Sequence, residues 1–100
     1  MVSKTEVEAA RADFEDLKTK FAYSYVTWGK LREDRELYAQ IANAAVGVPL
    51  GQVRAYLDKQ LEEKQAESHA LKIEMDEAQE RLTELQSAYE LEKGGKSRAP

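Results

Sequence analysis

No cysteine occurs in the 100 residues, so disulfide bonds and thiolate metal sites are both excluded. A single histidine, His69, leaves zinc without a ligand set. The Glu-x-x-His element of di-iron helical bundles would need Glu at position 66, which is Ala66. Proline is scarce, with only Pro49 lying inside the chain. No stretch approaches the 18 or so apolar residues that a membrane span requires. Met1-Val2-Ser3-Lys4-Thr5-Glu6 lacks the apolar core of a secretory signal, and the expectation is a cytoplasmic protein. Gly-rich phosphate loops and nucleophile motifs are missing too. The carboxylate pairs Glu62-Glu63 and Asp76-Glu77 have nothing around them to bury and tune them. The sequence therefore predicts no enzyme, no cofactor and no small-molecule substrate.

What is present is charge and apolar periodicity. Charged residues make up 34% and apolar ones 42%, a mixture that favours long helices over a compact α/β domain. The net charge of −4 is spread unevenly, with Lys93, Lys96 and Arg98 crowded into the last eight residues. No basic face of the kind nucleic acid requires stands out.

The first helix is expected over residues 4–46. Ser3-x-x-Glu6 and Thr5-x-x-Glu8 are both capping-box patterns for its start. Val7, Ala10, Phe14, Leu17, Phe21, Trp28 and Leu31 then recur in alternating steps of three and four, the period of a coiled coil. Ser24 fills the seam position between Phe21 and Trp28. Beyond Leu31 the apolar residues suggest a seam shifted to Leu37, Ile41, Ala44 and Val48, with Tyr38 beside it. Residues 21–28 also carry the aromatic, β-branched alternation of a short strand, but no second strand-like run exists to pair with it. The unbroken heptad favours helix there.

Gly47 suits a helix C-terminus and Pro49 a helix start, so the turn is placed at 47–49. A second helix over residues 50–92 carries Leu50, Leu57, Leu61, Leu71, Met75, Ala78, Leu82, Leu85 and Tyr89 in one register, interrupted by Lys64 and Ser68. Gly94-Gly95 predicts its end, with 94–100 as a flexible basic tail and 1–93 as one helical-hairpin domain. A fold-back about residue 49 sets Phe14 against Leu85, Trp28 against Leu71 and Leu31 against Ser68. A turn centred near residue 46 gives an equally consistent set.

The expected architecture is all-α: a long antiparallel helical hairpin, assembled into a dimer or larger bundle because a thin two-helix seam leaves much apolar surface uncovered. The surface residues expected to meet a partner are Val46, Val48, Pro49 and Leu50 at the tip, with Tyr23, Tyr25 and Tyr56 off the seam. The expected function is self-association and protein–protein binding.

The alternative is a DNA-binding regulator. Gln40 to Val48, followed by Val53 and Leu57, has helix-turn-helix character with Gly at the turn. Residues 47–57 are similar to the stretch entering the dimerisation coiled coil of MerR-type regulators, over less than half of the chain. The DNA-binding domain of that family has no counterpart here. Under this reading Gln52, Arg54 and Lys59 would face DNA, beside the acids Asp58, Glu62 and Glu63.

Overall fold

The computed structural model describes residues 1–98, with side chains through Glu92. It contains two helices, α1 (Lys4–Val46) and α2 (Leu50–Arg98), in a helical hairpin, and no strand among the described residues. Residues 21–28 are helical. A lone strand would have left its backbone groups without partners, whereas the helix satisfies them internally.

Local chemistry accounts for the ends. Ser3 caps α1, its Oγ accepting from the Glu6 N–H at 3.2 Å and its carbonyl from Val7. At the other end Gly47 takes φ 70°, a left-handed conformation that costs a side-chain-bearing residue far more. Its N–H donates to the Asn43 carbonyl at 2.8 Å, which closes the helix with an αL cap. Asn43 Nδ2 then reaches the Val48 carbonyl at 2.7 Å and clips the turn shut. Pro49 sits one residue before α2, its carbonyl accepting from Gln52 and Val53. α2 continues through Gly94 and Gly95 to Arg98, past the end expected near residue 92. Glycine weakens a helix by about 1 kcal/mol per residue but removes no hydrogen-bonding group, so a pair of them does not force a stop. The side chains expected in a basic tail, and residues 99–100, lie outside the described residues.

The chain divides into two compact units, Phe21–Ala70 around the turn and Met1–Lys20 with Leu71–Pro100 at the termini. In the turn unit the helices run side by side in opposite directions, joined by a hydrogen bond of 2.8 Å between the hydroxyls of Ser24 and Ser68. Both serines are buried. This pairing centres the turn on residue 46, and Ser68 meets Ser24 rather than Leu31. The two serines that interrupt the apolar seams thus satisfy each other, as buried hydroxyls must. The terminal unit has its own apolar cluster of Val7, Ala10 and Leu82, with Val2, Phe14, Leu85 and Tyr89 packed against it. The seam residues Phe14, Leu17, Phe21, Trp28, Leu31, Leu57, Leu61, Leu71, Met75 and Leu85 are half-buried, and Leu82 is buried.

One expectation is overturned. The seam does not shift to Leu37 and Ile41 after Leu31; these are 56% and 55% exposed, and Ala39 is fully buried in their place. The turn geometry sets which side of α1 faces α2. Alanine at 39 permits close approach, and the larger side chains point outward.

Candidate interaction surfaces

Three surfaces stand out, all within the turn unit. The first is the outer side of α1. At 3.6 residues per turn, Tyr23, Thr27, Lys30, Asp34, Leu37, Ile41 and Ala44 lie along one stripe, about 130° around the axis from Ser24, Trp28, Leu31 and Ala39. Tyr23 is 75% exposed, and Val26, on its flank, 66%. The stripe residues alternate in steps of four and three, so α1 carries a second heptad pattern, exposed except at Thr27 and Asp34, which are half-buried. Lys30 Nζ and Asp34 Oδ2 are paired at 2.8 Å in the middle of it, which holds the lysine pKa up through the hydrogen bond and the charge of Asp34.

The second surface is an aromatic ladder. The Phe21 and Tyr25 rings lie 5.8 Å apart, the Tyr25 and Trp28 rings 5.9 Å, and the Arg32 guanidinium sits 5.4 Å over Trp28. Such contacts favour a fixed arrangement of rings. Tyr25, Trp28, Gly29, Arg32 and Glu33 line a shallow groove beside it. A side chain at Gly29 would meet nothing within 4 Å, so neither packing nor backbone conformation within the chain asks for glycine. Gly29→Ala should therefore stabilise α1 by about 1 kcal/mol, raising the melting temperature by about 4–8 °C. Thermal circular dichroism at fixed protein concentration checks this, and a lower melting temperature would contradict it.

The third surface is the tip. Val46 is 73% exposed and Pro49 exposed, whereas Val48 and Leu50 are half-buried against the turn. Tyr56, on α2, is exposed, as is Tyr25.

Behind the tip two ion pairs join the helices. Arg35 reaches Asp58 through Nε and Nη2, and Arg54 reaches Glu36 the same way, with Nε at 3.1 Å from Oε2. Arg54 and Gln40 together hold the Glu36 carboxyl down to about 2 from an ordinary 4.5. A depressed carboxylate pKa contributes stability that is complete above the unfolded value and lost as pH falls through the folded one. Acidification from 4.5 to about 2 should thus release this clasp, and Glu36→Gln should flatten the pH dependence of melting across that window. Being exposed, the pairs should also weaken in salt.

These contacts bear on Gln52, Arg54 and Lys59. Gln52 and Lys59 are exposed on α2, but Arg54 is held by Glu36. The side-by-side helices do not make the near-perpendicular crossing of a helix-turn-helix at this turn. Asn43 is the residue that sequence reasoning undervalued. Its place four residues before Gly47, where it can span the turn, was the available signal.

The chain matches no protein-family model, no curated protein and no solved structure. Among the described residues no three His, Asp or Glu side chains gather where they could hold a metal ion. Among the described residues no helix is long and apolar enough to cross a membrane.

Proposed function

We propose that this protein is a non-enzymatic coiled-coil component of the cytoplasm that acts by self-association and by binding another protein, as an adaptor, assembly component or small inhibitor. The observation that carries this reading is the outer face of α1. Tyr23, Val26, Leu37 and Ile41 are each more than half exposed there, in a chain whose surface is otherwise strongly charged. Apolar area of this kind gains about 25 cal/mol per Å² when covered, so a helix with apolar residues on two sides is built to have two neighbours.

Light scattering coupled to size exclusion tests it. The wild type should run above monomer mass, and Leu37→Glu with Ile41→Glu should return it to monomer with its helical signal intact. A folded wild-type monomer would count against self-association. The DNA-binding alternative is separated by Arg54→Glu with Lys59→Glu, which on the protein-binding reading leaves mass unchanged. If the wild type instead held duplex DNA tightly at low salt and only this charge reversal released it, the regulator reading would replace ours.

A further inference from the structure

The proposed self-association leaves open which copies meet, and in what register. We infer that two copies pair antiparallel through the outer stripe of α1, about a two-fold axis level with position 32.

The inference rests on the self-association reading and on the order of residues along that stripe. Tyr23, Thr27, Lys30, Asp34, Leu37 and Ile41 alternate in steps of four and three. An antiparallel pair of such seams can interlock in this way only in registers a heptad apart, because each knob must fall into a facing hole. With the axis at position 32, Tyr23 of one copy faces Ile41 of the other, Thr27 faces Leu37, and Lys30 faces Asp34. Each layer occurs twice by symmetry, as an isologous contact requires. Sliding one copy by a heptad toward the tip sets Lys30 against Ile41 and Asp34 against Leu37, which strands charges on apolar groups. Sliding it the other way sets Asp34 against Tyr23 and Lys30 against Thr27. Only the register about position 32 sends every charge to its opposite and every large apolar residue to a partner without charge.

The geometry within one chain already prepares this. Lys30 is 65% exposed at its side chain and Asp34 22%, and they form a 2.8 Å pair. Two such pairs brought together head to tail make a closed ring of alternating charge. Glu33 from each copy flanks the axis and is the one like-charge meeting. The Lys30 ammonium already feels the charges of both Asp34 and Glu33. Val26 and Tyr38, both exposed, border the stripe and extend the covered area. The overlap from 23 to 41 is about 28 Å of helix at 1.5 Å per residue.

Charge swaps test it: a like-charge i,i+4 pair is only a small cost to a helix, and the helical signal of each variant controls for the half-buried Asp34. Lys30→Asp alone places acid against acid across the axis, and Asp34→Lys alone places base against base. Each should weaken dimerisation by about a hundredfold or more, read as mass in solution at matched concentrations, with circular dichroism confirming helix. Mixing the two variants should restore the dimer as a heterodimer, because positions 30 and 34 are then both acidic on one copy and both basic on the other. Dimers that survive both single swaps, or a mixture that stays monomeric, would overturn this register while self-association stands. A monomeric wild type would overturn both.

Discussion

Leu82→Ala should cost the terminal unit about 2–3 kcal/mol, the lower part of the range for buried leucines. Leu82 is one of only three buried residues in the apolar cluster of that unit, facing Val7 and Ala10. Val2, Phe14, Leu85 and Tyr89, themselves only partly buried, pack around it. Against a marginal total stability of about 5–15 kcal/mol for a small domain, this is a large fraction. The melting transition should fall by about 10 °C or more, with the early loss of helix confined to the terminal unit. Leu91→Ala is the control: its side chain is 76% exposed, and its removal should stay within about 0.5 kcal/mol. Equal effects from the two substitutions would show that the cluster does not hold this unit together. Because association raises apparent stability, both must be measured at one concentration.

The Ser24–Ser68 pair should respond in opposite directions to single and double change. Ser68→Ala leaves the Ser24 hydroxyl buried without its partner, at a cost of about 1–3 kcal/mol. Ser24→Ala combined with Ser68→Leu would recreate the small-against-large layer that Ala10 and Leu82 form in the terminal unit. That double variant should exceed the wild type by about 1–2 kcal/mol, since an apolar layer replaces two hydroxyls that only break even. The serines also hold the register: shifting α1 along α2 would strand both hydroxyls among apolar side chains. The double variant should therefore melt higher yet lose its single well-defined mass. A melting temperature below that of Ser68→Ala would mean that the layer cannot accept a leucine.

The residues themselves determined the two helices, the chemistry at both ends of α1 and the turn, though not where α2 stops. Capping, the left-handed glycine and the heptad spacing are local properties, decided within a few residues of one another. Ser3 with Glu6, and Gly47 followed by Pro49, carry those signals without reference to distant parts of the chain. The absence of cysteine and the lone histidine likewise spoke for themselves.

Which side of α1 meets α2 near the turn was not legible in that way. Leu37 and Ile41 have the same period as a true seam, and composition alone favoured burying them over Ala39. The register was equally open, since Leu-rich heptads fit one another at more than one offset. Both matters were decided between the helices. Asn43 clips the turn, the left-handed Gly47 sets the exit angle of the chain, and Ser24 finds Ser68. Once those three are satisfied, helical geometry leaves Ala39 against α2 and turns Leu37 and Ile41 outward. A pattern in the sequence states that a side will be covered; only the packing of distant residues decides by what.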